Sequence, residues 1–277
     1  MTVRIAVLQM TSGIEPGANF DVIRKAASDA RAGGADVMFT PEMSLLLDRD
    51  RARATAHVVP QEHSPFVGAL GELARELGMH IALGSIAVAL PDGRWANRSF
   101  LFSPGGGPPV TYDKMHMFDV DLASGENWRE SSAYKPGDEV VTATITPGTN
   151  ESIQLGLTVC YDVRFPALFE ALGRRSCDVI AVPAAFTVPT GQAHWHVLLR
   201  ARAIEASAFV VAAAQVGEHE DGRRTYGHSL VVDPWGEVLL DMGGEAPGLG
   251  FADIDLARIS EVRAQVPSLA NRREIAT

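Results

Sequence analysis

The sequence predicts an α/β fold, a layered sandwich of two β-sheets with helices outside. Three observations predict it. The chain opens in the order strand, helix, strand, helix, and each half of it runs strand, helix, strand, helix and then a hairpin. Glu42, Lys114 and Cys160 each stand just past a stretch that reads as a buried strand. In open α/β sheets ligands collect at the carboxyl ends of strands, so this shared placement marks a candidate site.

The elements follow in order. Val3 to Leu8 alternates as a strand, and after a polar loop Asn19 is placed to cap a helix carrying Val22, Ile23, Ala26, Ala27 and Ala30 at helical spacing. Gly33-Gly34 ends that helix. Asp36 to Thr40 is a short buried strand stopped by Pro41-Glu42. Ser64-Pro65 opens a second helix with apolar Phe66, Leu70, Leu73 and Leu77, closed by Gly78. His80 to Ala89 and Arg98 to Ser103 form a hairpin around Pro91-Asp92-Gly93, and Val110 to Asp113 is a strand ending at Lys114. Met115 to Asp138 then reads as a polar loop long enough to serve function, and it contains Glu130.

The second half repeats the plan. Ile153 to Val159 leads to Cys160 and a turn into a helix over about Phe165 to Leu172. Asp178 to Val182 is a buried strand, Gln192 to Ser207 a long helix, and Phe209 to Gln215 another strand. His228 to Asp233 and Glu237 to Asp241 pair around Pro234-Trp235-Gly236, and Gly248 to Asp255 is the last strand.

Composition narrows the function class. With 46% apolar and 21% charged residues the chain is of ordinary globular type, and the absence of a linker or low-complexity tract predicts one domain over residues 1–277. A formal net charge of -10 argues against a nucleic-acid or anionic-membrane surface. The two cysteines, Cys160 and Cys177, make no disulfide framework, which fits a cytoplasmic protein. The first apolar run is too short for a signal peptide or membrane span, and no later run is long enough to cross a bilayer.

A thiol attacks an acyl carbon well only as thiolate, and an ordinary cysteine, with a pKa of about 8.5, is mostly protonated at neutral pH. It needs a base or a neighbouring cation. Glu42 supplies a base, Lys114 a positive charge, and the turn after Cys160 the Tyr161 backbone N–H as an oxyanion donor. His116, close to Lys114 in sequence, is a rival partner for the thiol, and Cys177 reads as structural. Neither a metal nor a cofactor is expected: His194 and His196 are two apart and point to different helix faces, and Gly105-Gly106-Gly107 lacks the following helix of a phosphate-binding loop.

Three separated blocks carry a resemblance. They are Phe39-Thr40-Pro41-Glu42-Met43, the run from Tyr112 to Asp121, and the run from Leu157 to Pro166. In these, over about residues 4–255, the chain resembles the nitrilase superfamily of carbon-nitrogen hydrolases, leaving 256–277 as a C-terminal tail. The runs Ala193 to Glu205 and Tyr226 to Gly236 are similar to the Nit branch, which holds deaminated glutathione amidases and omega-amidases.

The resemblance implies a four-layer α-β-β-α sandwich and a Glu42, Lys114, Cys160 triad, with Glu130 as a second glutamate holding the lysine. True nitrilases usually carry Trp-Glu after the nucleophile; Tyr161-Asp162 here implies amide hydrolysis instead. The implied reaction takes a small primary amide, deaminated glutathione or an alpha-keto dicarboxylate monoamide, to acid and ammonia through a thioester. Arg164 would meet a substrate carboxylate, with Tyr161, Phe186 and Thr187 in the pocket wall. It also implies at least a homodimer, with the helices around Cys160 and the long later helix packing across a two-fold. Two departures stand out: His196 replaces a residue often acidic in relatives, and the loop Leu122 to Trp128 differs from the forms of relatives. The rivals are an N-carbamoyl amino acid amidohydrolase of the same superfamily, a non-catalytic scaffold of the same fold, and a redox-sensing thiol protein pairing Cys160 with Cys177.

Overall fold

Two six-stranded sheets lie face to face in the computed structural model, which describes residues 2–123, 125, 127–148 and 152–273. Chain order is β1 (Thr2–Gln9), α1 (Pro16–Ala32), β2 (Val37–Phe39), α2 (Arg51–Ala54), α3 (Pro65–Leu77), β3 (His80–Ala89), β4 (Trp95–Phe102), β5 (Val110–Asp113), β6 (Asp119–Asp121), β7 (Asn127–Arg129) and β8 (Thr142–Ile145). It continues with β9 (Ile153–Leu157), α4 (Pro166–Arg174), β10 (Val179–Ala181), α5 (Val188–Ala206), β11 (Phe209–Ala212), β12 (Val216–Glu218), β13 (Arg224–Tyr226), β14 (Leu230–Val232), β15 (Val238–Asp241), β16 (Gly248–Asp255) and α6 (Ala257–Gln265).

The two sheets share one plan. The first runs β16-β1-β2-β3-β4-β5 and the second β8-β9-β10-β11-β14-β15 when read from its other edge. In each, three central strands are parallel, one strand pairs antiparallel with them on one side, and two more follow by successive antiparallel pairing on the other. The internal repetition visible in the sequence is therefore a repeat of topology.

Alternation along β1 shows how the layers assemble. Val3, Ile5 and Val7 pack toward the second sheet, in a core shared with Leu155, Leu157 and Val179, while Ala6 and Leu8 face α1 and α3 through Ile23, Ala27, Leu70 and Ala74. On the far side α4 and α5 cover the second sheet with Phe169, Leu172, Trp195 and Leu199. The order of layers is helix, sheet, sheet, helix, as expected. Each fully buried large apolar side chain contributes roughly 1.5–3 kcal/mol relative to exposure, so both sheet faces are strongly specified.

Several boundaries differ from the sequence reading. Asn19 does not cap α1, which begins at Pro16; its buried amide instead accepts from Gly13 N at 2.9 Å and donates to the carbonyls of Gly13 and Leu45, closing the loop beneath Glu42. Residues 256–277 are not simply a tail, because α6 buries Ile259 and Val262 against the core. Residues 274–277 lie outside the described residues, as do 124 and 126 of the loop Leu122 to Trp128. The stretch 115–138 is not all loop: β6 and β7 pair within it. The edge strand β8 has no counterpart in the sequence reading, β4 begins at Trp95 rather than Arg98, and α5 begins at Val188 rather than Gln192.

Candidate active site

Glu42 sits three residues past the fully buried β2, in a turn whose next residue, Met43, takes φ 54°. The turn is pressed against the bulge of β3 at Gly84. A Cβ there would overlap the carbonyl oxygens of Thr40 and Pro41 and the Pro183 ring, so only glycine lets the two sheets approach at this point. Lys114 follows β5 directly, and Glu130 opens a one-turn 3-10 helix after β7.

Cys160 begins another 3-10 turn at the end of β9, with φ 50°. A non-glycine residue in the left-handed region costs on the order of 1–3 kcal/mol and persists only where its surroundings hold it. Here they do. Cys160 N donates to Pro183 O at 2.8 Å, and the fully buried Asp162 accepts from Val159 N at 2.9 Å, His116 N at 3.0 Å and Tyr112 Oη at 2.7 Å. Asp162 thereby ties the Cys160 turn to the end of β5, the strand that delivers Lys114.

The four side chains converge. Lys114 Nζ donates to Glu42 Oε1 at 2.9 Å and to Glu130 Oε2 at 2.8 Å, with 2% of the lysine side chain exposed. Asn97 Nδ2 joins the two glutamates, donating to Glu42 Oε1 at 2.9 Å and Glu130 Oε1 at 3.0 Å. The other Glu42 oxygen accepts from Ala185 N at 3.0 Å, and the Cys160 thiol lies against the same carboxylate.

These contacts set the charges. Burial pushes Glu42 up, but the Lys114 charge and the hydrogen bonds from Cys160, Lys114 and Asn97 outweigh it and leave the carboxyl below its ordinary value. Burial opposes the Lys114 ammonium, yet Glu130 and Glu42 together hold it well above the usual lysine range. Burial and the Glu42 charge push the Cys160 thiol well up. The resting cluster is carboxylate, ammonium and protonated thiol.

The cluster forms the floor of a cavity of about 470 Å³, a volume typical of small-ligand sites. Glu42, Lys114, Glu130 and Cys160 line it, and so do Tyr161, Phe186 and Thr187. Arg164 does not. Its guanidinium lies 5.6 Å from the Tyr161 ring centroid and 5.2 Å from that of Phe186, and it bonds His194, so it packs behind the wall it was expected to breach. His116 is likewise committed elsewhere, stacked on Phe165 at 3.6 Å and bonded to Asp162 through Nδ1. Cys177 is fully buried and its thiol is pushed up to about 12, chiefly by burial.

Sequence reasoning missed Asn97, Asp162 and Tyr134. Asn97 is a buried polar residue of β4, and starting that strand at Arg98 left it outside the element. Tyr134 lines the cavity, its phenol pushed up by burial and by Glu130. The sequence also gave no sign that His196, His228 and Asp241 meet. Both imidazoles bond the Asp241 carboxylate, at 3.0 and 2.9 Å.

Comparison with known proteins agrees with this fold. The family model described as carbon-nitrogen hydrolase matches residues 4–264. A deaminated glutathione amidase from Yersinia enterocolitica is 38% identical over 280 residues, covering 99% of this chain and 94% of that protein. The NitFhit protein of C. elegans superposes with a TM-score of 0.87 at 33% identity, over 98% of this chain, which spans 65% of the NitFhit chain. An amidase from Nesterenkonia sp. AN1, 27% identical with a TM-score of 0.78 over 98% of this chain and 94% of its own, has been solved with the acetamide moiety of fluoroacetamide added covalently at its active-site cysteine.

Proposed function

The chain belongs to the carbon-nitrogen hydrolase family and is a cysteine amidohydrolase of it, and from that premise we propose that Cys160, Glu42, Lys114 and Glu130 hydrolyse deaminated glutathione. The observation that carries the catalytic assignment is the meeting of those four side chains at the floor of one cavity. The substrate reading rests on the names of the relatives and on the cavity's size, which exceeds what a small monoamide needs.

The reaction proceeds in two halves. Cys160 Sγ attacks the amide carbon as Glu42 takes the thiol proton, and the oxyanion meets the Lys114 ammonium and the Tyr161 N–H. Glu42 passes the proton to the departing nitrogen as the C–N bond breaks, leaving a thioester on Cys160. Glu42 then takes a proton from water, hydroxide adds to the thioester carbon, and the thiol is regenerated as the acid leaves. In deaminated glutathione the scissile nitrogen belongs to a dipeptide, so the leaving group is an amine; an alpha-keto dicarboxylate monoamide would release ammonia. Glu130 and Asn97 keep the lysine and the base in register.

Three further parts of the reading have their own support. A single domain over the chain is favoured by a core containing both Val3, Ile5 and Val7 of the first sheet and Leu155, Leu157 and Val179 of the second. A homodimer through α5 is favoured by its exposed Val197 and Ile204 beside exposed Trp235. A cytoplasmic site fits two free cysteines, and no described helix is long and apolar enough to cross a membrane.

Release of amine or ammonia from deaminated glutathione, alpha-ketoglutaramate and an N-carbamoyl amino acid, with Cys160→Ala as control, tests the reading. Turnover of the first with an amine product supports it. Turnover of the carbamoyl compound alone would replace it with the carbamoyl reading.

A further inference from the structure

The mouth of the cavity has a sign opposite to that of the protein. Arg49, Arg51, Arg129, Arg223 and Arg224 line it, on a chain whose formal net charge is -10. Part of that charge is already answered. Arg129 forms a two-oxygen pair with Asp121, and the cavity's Asp48 is engaged from outside by Arg53. Arg51 donates to Ser132 O and lies 5.3 Å from the Trp95 ring.

Arg49 and Arg223 are different. Both guanidiniums converge on Trp128, at 5.3 and 5.1 Å from its ring centroid. The fully buried Asp221 positions them, accepting Arg49 N at 2.8 Å and Arg223 Nε at 2.7 Å. Among the described residues the Arg49 guanidinium has no hydrogen bond or ion pair, and Arg223 is bonded through Nε alone. Trp128 Nε1, on the same cavity wall, is buried with no hydrogen-bond partner. That N–H is closed off from the cavity, so what the wall offers a ligand is the pair of guanidinium groups lying over the Trp128 ring. Arg49 is exposed and Arg223 half-buried, so their free N–H groups face solvent at the cavity and are open to a ligand.

We propose that Arg49 and Arg223, held against the Trp128 ring, form a carboxylate-binding subsite, so that the enzyme selects amides bearing a carboxylate away from the scissile bond. This rests on the amidase reading above and adds its specificity. Arginine suits the task because its planar fork bonds both oxygens of a carboxylate, and the stack on Trp128 fixes the plane of each guanidinium in advance. Arg164, behind the wall, is not needed.

The test compares deaminated glutathione with its carboxylate methyl esters as substrates of wild type, Arg49→Ala, Arg223→Ala, Arg49→Lys and Trp128→Phe. The expected wild-type preference for the free acid is about tenfold to hundredfold in kcat/KM, carried in KM and weakened by salt. Arg49→Ala and Arg223→Ala lower the acid-to-ester ratio toward one, Arg49→Lys restores part of it, and Trp128→Phe, which keeps the ring, lowers it less. Thermal melts identify any variant that fails to fold. Equal wild-type turnover of acid and ester, or a preference that survives both alanine variants, overturns the subsite and leaves the amidase reading standing. No turnover of any amide by wild type overturns the amidase reading itself.

Discussion

Lys114 Nζ stands 2.9 Å from Glu42 Oε1, and neither side chain exposes more than 7% of its surface. The proposed base is therefore held as a carboxylate by the same cation that is to receive the oxyanion. Substrate binding changes what the lysine faces without changing its charge.

Removing that cation leaves Glu42 and Glu130 buried together without compensation. Lys114→Met is expected to abolish amide hydrolysis and to cost about 3–5 kcal/mol in urea unfolding. Glu130→Gln keeps one oxygen for Lys114 and is expected to fold while losing about tenfold to hundredfold in kcat, as read by amine release.

The pH profile follows from the same pair. Glu42 is lowered, so the acid limb of kcat/KM falls below the ordinary glutamate pKa of about 4.3; Lys114 is raised, so no alkaline limb from it appears below about 10.4. Stability obeys the same signs. The Glu42 contribution is present above the unfolded carboxylate pKa and is lost as pH falls through its lower folded value. The Lys114 contribution is present below the unfolded lysine pKa and is lost as pH rises through its higher folded value. A bell centred near pH 6 with an acid limb above about 5 would contradict the assignment.

Asp162 acts through the turn that carries Cys160. Asp162→Ala leaves Val159 N and the Tyr112 hydroxyl buried without their acceptor and is expected to cost about 2–4 kcal/mol in unfolding and most of kcat. His116→Phe keeps the stack on Phe165 and is expected to retain kcat within about tenfold, which separates it from a Cys–His mechanism.

Gly84 tests the seam between the sheets. Gly84→Ala sets a methyl against backbone carbonyls that cannot retreat without moving Glu42, and about 1–3 kcal/mol of destabilisation with a larger loss of kcat is expected from melts and assays.

Much of this architecture is legible from local pattern. The alternation of β1 and the helical spacing of Ile23, Ala26, Ala27 and Ala30 are properties of short windows, and both correspond to buried faces, whereas Val22, named with them, is exposed. The strand ends that place Glu42, Lys114 and Cys160 are legible for the same reason. What escaped depends on distant partners. Asn97 matters only because Glu42 and Glu130 arrive from elsewhere, and β8 is a strand only because β9 offers it an edge. Arg164 is four residues from Cys160 in sequence, yet the 3-10 turn carries it behind Tyr161 and Phe186. Sequence distance from a nucleophile does not give direction.

The central claim is that Cys160 carries the acyl group. Rapid-quench intact-protein mass spectrometry during turnover of deaminated glutathione measures it directly. The account predicts a transient mass increase equal to the acyl part of the substrate, located at Cys160 by peptide mapping and lost in Cys160→Ala together with activity. Steady turnover by Cys160→Ala, or an acyl adduct on another residue, would contradict it.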